Sequence, residues 1–391
     1  MCVVSVRAHH FDFSIWGGFG EREENLPLVT PMSIYPRFKH PITSWHAPAG
    51  TCVVEVEADD GRVGLGWCED FCGAASVIIE RHLSRFLLNQ DPRDVSQIWD
   101  QMYRSSIMYG RKGLAVFAIS ALDIALWDLI GKQAGTPVYR LLGGKVRDTV
   151  PVYASHLHAI EPEKLAAEAR DYVQRGYRAM KMRFGFGPAD GLEGMNKNVA
   201  QVALLRETVG DSVDLMADAY MGWTVEYTQR IAKKLERFDL KWLEEPLLPD
   251  EIEGYIELSR TIGVPVAAGE HEYTRYGFQT LIRNRAIRFV QFDLGRVGGL
   301  TEAKRVCQMA SAAGLPVCPH AYSLPTLHLV VSEPACLMAE HFPVPCWMED
   351  GYMDRNPFGT PQPQSGTLAL PEEPGLGTHL DFDLRSGSSV A

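Results

Sequence analysis

Three acidic residues close three successive apolar, strand-like runs at one interval. Asp218 ends VDLMAD, Glu244 ends LKWLE and Glu270 ends PVAAGE, so each lies 26 residues from the next (244 − 218 = 270 − 244 = 26). A strand, a helix and their loops fill such an interval, which makes it the repeat of a β/α unit. Parallel strands of a barrel finish on one face, so acids at equivalent strand ends converge however far apart they lie in the chain. Three anionic oxygen donors at one point suit a hard divalent cation, Mg²⁺ ahead of Zn²⁺. A single strand-end acid more often caps the following helix, but capping would not produce one register in all three.

The alternation extends well beyond these three runs. TVPVYAS, RAMKMR, VDLMAD, LKWLE, PVAAGE, RFVQFD, LPVCPH and ACLMAE are eight strand-like runs separated by helix-length segments. They predict a (β/α)-type barrel over 147–355. Before it, TCVVEVEADDGRVGLGW reads as a hairpin turning at Asp59-Asp60-Gly61, with a further strand near residues 2–8. Helical patterns follow over Ala74–Leu88 and Leu114–Gln133, the latter with Leu114, Phe117, Ala118, Ala121, Leu122, Ala125 and Leu129 on one face. Residues 1–146 therefore form an α+β domain, and the Pro- and Gly-rich tail, 356–391, is expected to pack back on it. A chain of 391 residues has the length for both domains.

A formal net charge of -11 argues against general affinity for nucleic acid. The eight cysteines lack zinc-type spacing and fit reduced thiols. MCVVSVRAHHFDF lacks the basic and apolar regions of a signal peptide, and no uninterrupted apolar run approaches about eighteen residues. A cytoplasmic protein without membrane or nucleic-acid partners is the expectation.

The other strand ends carry further candidates. Lys181 and Arg183 are two apart in one run, so both are expected to project into the barrel mouth. Asp293 and His320 end adjacent runs; an Asp facing one imidazole nitrogen fixes the tautomer and raises the basicity of the other, which makes a general base. Glu340 ends the last run, expected opposite Lys181. His156, His158, His271 and His328 also lie near strand ends or in the loops that follow. Gly298-Gly299 lacks the spacing and the lysine of a phosphate loop and reads as a turn into a helix.

Taken in order, Lys-x-Arg, the Asp of LMADAYMGW, the Glu-Glu-Pro of WLEEPLLPD, the Gly-Glu of AAGEHEYT, the Asp of QFDLGRVGGLTEA and the His of CPHAY resemble the mandelate racemase branch of the enolase superfamily. ALDIALWDLIGKQAGTPVYRLLGG resembles that family's capping-domain helix and linker. The resemblance implies an α/β fold, a modified TIM-type (β/α)7β barrel with an N-terminal α+β capping domain. It implies Mg²⁺ held by Asp218, Glu244 and Glu270, removal of the proton α to a substrate carboxylate, and stabilisation of the enediolate by the metal with Lys181 and Glu340. A homo-oligomer is the family habit.

Many members of the branch carry Lys-x-Lys, where the second Lys is a base; here that position holds Arg183. Arginine stays protonated, which leaves the His320-Asp293 side as the obvious base. Racemisation needs proton exchange on two faces, whereas elimination of water needs one base. The reading is a Mg²⁺-dependent acid-sugar dehydratase, a hydro-lyase converting a 2,3-dihydroxy sugar acid to a 2-keto-3-deoxy acid. TPMSIYPRFKHP, EEPLLPDEIEGYIELSR, GEHEYT and MKMRFGFGPADG look most like L-rhamnonate dehydratases and their neighbours. The alternative on the same scaffold is a sugar-acid racemase, epimerase or cycloisomerase with Lys181 as second base. Substrate choice falls to a loop over the barrel mouth, Ser14–Lys39, given mobility by Gly17, Gly18 and Gly20. Pro41-Ile42-Thr43 replaces a basic residue expected in rhamnonate enzymes.

Overall fold

The computed structural model describes residues 2–12, 26–39, 44–47, 49–347, 357–386 and 388–389. Strands β1 (Val3–Phe11), β2 (Ala49–Ala58) and β3 (Val63–Phe71) pair antiparallel in that order. The β2–β3 turn closes through Ala58 N–H to Arg62 O, with Gly61 at φ +82°, a conformation that suits a residue without Cβ. Helices α1 (Ala74–Arg81), α2 (Val95–Ser106) and α3 (Leu114–Ala134) pack on this sheet. α1 is shorter than the periodicity predicts, because the chain tightens into a 3₁₀ turn over Leu83–Phe86. α3 is long and apolar enough to cross a membrane, yet 83% of its apolar window is buried within the protein.

The approach of α3 to β3 depends on two glycines. A Cβ on Gly66 would run into Ala121 O and Ala125 N, and one on Gly64 into Ala125 O and Leu129. Backbone atoms cannot rotate away as side chains can. Gly66→Ala is expected to cost about 1–3 kcal/mol through overpacking, read as a lower denaturation midpoint at unchanged slope; an unchanged midpoint would contradict this packing.

After α4 (Val138–Leu141), strands and helices alternate. β4 (Val150–Ser155), α5 (Pro162–Gln174), β5 (Ala179–Arg183), α6 (Gly191–Val209), β6 (Asp214–Asp218) and α7 (Val225–Leu235) come first. β7 (Trp242–Glu244), α8 (Ile252–Thr261), β8 (Val266–Ala268), α9 (Thr274–Arg283) and β9 (Phe289–Val290) follow. Short α10 (Leu294–Val297), then α11 (Gly299–Ala312), α12 (Leu324–Ser332) and β10 (Ala339–His341) complete the series. The parallel order is β10-β4-β5-β6-β7-β8-β9. The run LPVCPH, expected as a strand, forms only isolated parallel bridges, Val290 to Val317, Val317 to Cys336 and Asp293 to His320. Pro316 and Pro319 remove two of its ladder donors. The remaining N–H groups of Val317, Cys318 and His320 still bond Ala335 O, Val290 O and Phe292 O, and so close the ring.

Inside the ring Tyr153, Ala179, Met216, Trp242, Ala267 and Cys318 form an apolar floor, with Phe289 and Met338 against it. Strand side chains repeat every two residues. One step up from each floor residue therefore stand Ser155, Lys181, Asp218, Glu244, Gly269, His320, Gln291 and Glu340. Apart from Gly269, that storey is entirely polar.

The tail touches both units. Its β11 (Thr367–Leu368) pairs with β4, Phe358 stacks on Trp67 at 4.1 Å between centroids, and β12 (Ser388–Ser389) pairs with β1.

Candidate active site

Lys181 lies at the centre of the polar storey and is almost completely enclosed. Its Nζ pairs with Glu244 Oε1 and stands 2.8 Å from Glu340 Oε1 and 3.7 Å from Asp218 Oδ2. The expectation that Glu340 faces Lys181 from across the ring is corrected here. β10 and β5 both flank β4, so the two side chains meet above Tyr153. Burial alone would discharge an ammonium, but Glu244, Glu340 and Asp218 outweigh it and hold the Lys181 pKa well above its ordinary value. Lys181 is thereby fixed as a cation. Arg183, one step higher, donates from Nη1 to Ser155 O at 3.1 Å and lies over the Phe342 ring at 5.7 Å.

Asp293 divides its carboxylate between two tasks. Oδ1 accepts from Gly295 N–H at 2.6 Å, capping α10, and Oδ2 lies 2.7 Å from His320 Nδ1. His320 Nε2 then points inward, 3.4 Å from Glu270 Oε2 and 4.0 Å from Glu340 Oε2. Burial lowers the imidazole pKa, but the Glu270 charge and the Asp293 hydrogen bond overcome it and push it up to about 9. Counter-charge that neutralises Glu270 removes the larger of those two supports.

Asp218 Oδ1 accepts from Tyr220 N–H at 2.8 Å. Glu244 Oε2 accepts from Trp242 Nε1 at 2.9 Å and Gln291 Nε2 at 2.8 Å. Burial, opposed by Lys181 but reinforced by Asp218 and Glu340, pushes the Glu244 pKa up to about 7, and burial with Glu270 raises that of Asp218. Asp218, Glu244 and Glu340 thus crowd one lysine, an excess of buried negative charge that a divalent cation would relieve, while Glu270 stands beside them against His320 and Arg296. Within the same two storeys Tyr153 OH, Ser155 Oγ and Gln291 Oε1 are buried without hydrogen-bond partners. The donor set is hard oxygen, as Mg²⁺ prefers.

Among the described residues, the group whose donor atoms all lie within 4.8 Å of one another is Glu245, Glu270 and His271, rather than the predicted Asp218, Glu244 and Glu270. Glu245 is already committed: its Oε1 accepts from Gly269 N–H at 3.1 Å and its Oε2 lies 2.6 Å from His271 Nδ1. It is better described as the anchor of the Glu270 loop than as a metal ligand. Adjacent residues on a strand point oppositely, but Glu245 turns at φ +34°, just past the end of β7. Tyr220, Met221 and Ala321 are likewise left-handed just after Asp218 and His320, and Ala321 N–H donates to Glu340 Oε2 at 2.8 Å. Such costly conformations concentrate where side chains must be aimed.

The remaining histidines separate by position. His156 is held to Glu168 at 2.9 Å, His158 is buried beside it, and His328 lies away from the mouth between Tyr139 N and Leu376 O. Arg296, which no sequence pattern singles out, reaches Glu270 from the side and is paired with Glu69. The loop expected to cover the mouth is described only from residue 26. There Val29 N–H donates to Phe184 O at 2.8 Å and Lys39 pairs with Asp190. Gly17, Gly18, Gly20 and Pro41-Ile42-Thr43 lie outside the described residues.

Comparison with known proteins gives the family and the fold. Residues 33–143 match the N-terminal domain of mandelate racemase / muconate lactonizing enzyme, and residues 164–384 match the enolase C-terminal domain-like family. The chain is 38% identical over 359 residues to L-rhamnonate dehydratase of Saccharopolyspora erythraea, covering 90% of this chain and 89% of that protein. The solved structure of rhamnonate dehydratase from Gibberella zeae complexed with Mg superposes with TM-score 0.88 at 32% identity, over 98% of this chain and 95% of that one. A racemase from Streptomyces coelicolor A3(2) with bound magnesium gives TM-score 0.81 at 29% identity, over 97% and 98%.

Proposed function

Because the chain belongs to the mandelate racemase / muconate lactonizing enzyme family of enolase-like proteins, we propose that it is a Mg²⁺-dependent acid-sugar dehydratase acting on an L-rhamnonate-like 2,3-dihydroxy acid. Asp218, Glu244 and Glu270 are the proposed ligands. Bound there, Mg²⁺ supplies Lewis-acid stabilisation of negative charge on the substrate carboxylate. The observation that carries the reading is the asymmetry of bases: His320 has Asp293 behind it at 2.7 Å, whereas Lys181 is pinned as a cation by three carboxylates.

The chain's own residues then have distinct tasks. His320 Nε2 takes the proton from C2, and Asp293 steadies the imidazolium that forms. Lys181 and Arg183 place fixed positive charge where the carboxylate gathers electron density. Glu340 holds Lys181 in place. The C3–O bond breaks, the hydroxide leaves as water with the proton carried by His320, and the enol tautomerises to the 2-keto-3-deoxy acid. Incubating the protein with a library of aldonic and aldaric acids is expected to give 2-keto acid from L-rhamnonate or a close stereoisomer. Solvent-deuterium exchange at C2 without any keto product would sink dehydration.

That outcome would favour a second reading, epimerisation. His271 supports it, since Glu245 fixes its tautomer beside Glu270 and so offers a second imidazole at the mouth.

Metal binding has its own expected signature. Glu244 is raised from an ordinary 4.5 to about 7 without metal, so folding takes up a proton there. The stability tied to that proton is lost as pH rises from the unfolded value through 7. Added Mg²⁺ is therefore expected to raise Tm more at pH 8 than at pH 5.5. A shift independent of pH would contradict the assignment of Glu244 as ligand.

A further inference from the structure

Glu69 lies on β3 of the N-terminal sheet, yet its closest charged partner belongs to the barrel. Arg296 Nε donates to Glu69 Oε2 at 2.9 Å, with both side chains almost wholly enclosed. The same guanidinium turns its Nη1 to the main chain of Glu270, 3.3 Å from the carbonyl oxygen, and stands 3.7 Å from Glu270 Oε1. Arg296 sits on the single turn of α10 whose N-cap is Asp293, and its own N–H bonds Asp293 O at 3.1 Å. One planar fork thus connects a strand of the N-terminal unit to a proposed metal ligand and to the turn that carries the dyad aspartate.

We infer that Glu69 and Arg296 form a positioning unit that fixes the Glu270 carboxylate, so that the cation affinity of the barrel is set partly by the other domain. The inference rests on the reading that Glu270 holds Mg²⁺. Physically, Glu69 balances the guanidinium and keeps it turned toward β3. Without that balance, an enclosed unpaired cation 3.7 Å from Glu270 Oε1 turns onto that oxygen and competes for it with the metal. Partners behind a metal ligand are commonly worth 10–100-fold in affinity. Lysine in place of Arg296 has no fork with which to hold Glu69 and Glu270 together.

The test is calorimetric titration of the full chain with MgCl₂ alone, with no substrate present. Glu69→Gln is expected to raise the Mg²⁺ Kd about tenfold, and Arg296→Gln to raise it by less, because the competing guanidinium is lost along with the tether. The double variant is expected to bind no more weakly than the weaker single, because the two act as one unit. Trp127→Phe is the control for general loosening of the domain contact, since Trp127 Nε1 donates to Thr301 Oγ1 at 2.9 Å without touching the mouth; it is expected to leave Kd unchanged. Should Glu69→Gln fail to fold, Glu69→Asp keeps the charge but draws it back by one methylene and answers the same question. A Glu69 variant binding within twofold of the parent, multiplied losses in the double variant, or an equal loss in Trp127→Phe would each overturn the inference. If the unaltered protein takes up no Mg²⁺, the site reading falls first; if it does and the Glu69 variant is unaffected, only this inference falls.

Discussion

Replacing His320 with asparagine is expected to abolish both 2-keto acid formation and solvent exchange of the C2 hydrogen, with a loss in kcat of about 10²–10⁴-fold. Asparagine retains a hydrogen-bond donor for Asp293 but cannot take a proton. Asp293→Asn is expected to act in the same direction, because an amide can present its N–H to His320 Nδ1 and leave the inward nitrogen protonated. A stability difference should accompany the kinetic one. The metal-free imidazole is raised from 6.5 to about 9, so its contribution is fully present below pH 6.5 and lost as pH rises through 9. His320→Asn should therefore be less stable than the parent at pH 6 and equal to it near pH 10. Exchange of the C2 hydrogen persisting in His320→Asn would transfer the role of base to His271, the other imidazole at the mouth, and revive the epimerase reading.

The polar storey was legible because its logic is parity. Tyr153, Met216, Trp242 and Cys318 are floor residues, and a reader who places one strand in register can step two positions to Ser155, Asp218, Glu244 and His320. Repetition of that step along a β/α series reveals a barrel without any one strand being convincing alone. β9 is only two residues long, and LPVCPH makes no ladder at all, yet both present the side chain that parity assigns them. Glu340 was misplaced for a related reason. Sequence order separates it from Lys181 by most of the barrel, and only closure of the ring makes β10 and β5 the two neighbours of β4.

What was not legible lies where the chain leaves regular geometry or crosses between units. Glu245 sits beside Glu244 and would point away from it on an ideal strand; its left-handed turn depends on Gly269 and His271 N–H groups that no periodicity reports. Arg296 had one available signal, its place one helical turn after Asp293. Glu69 had none, since its neighbours read as an ordinary hairpin strand and its partner lies 227 positions away. Short-range pattern sees the storey because each strand carries its own share. It cannot see a brace assembled from two domains.

Lys181→Met tests the electrostatic centre of the storey and should be the most damaging single change to the metal-free fold. It leaves Glu244 Oε1, Glu340 Oε1 and Asp218 Oδ2 without their shared cation in a site closed to water, and breaking a buried pair of this kind costs about 3–5 kcal/mol. The penalty should depend on pH in a definite direction. Burial would raise the Glu340 pKa, but Lys181, His320 and Arg183 together depress it far below the ordinary 4.5. Its stabilising contribution is therefore present above pH 4.5 and lost as pH falls toward the folded value. Removing Lys181 takes much of that away, so parent and variant should differ most at pH 7 and converge at low pH, as the carboxylates take up protons. Arg183 is not free to substitute, being committed to Ser155 O and the Phe342 ring. Added Mg²⁺ should recover part of the loss by restoring positive charge among the carboxylates, while turnover stays at least about 10²-fold down because a fixed charge at the reacting carboxylate is gone. Denaturation at pH 7 and at about pH 2.5, with and without MgCl₂, reads all of these together. Equal stability of parent and variant at pH 7 would mean that the cluster is not held together by charge.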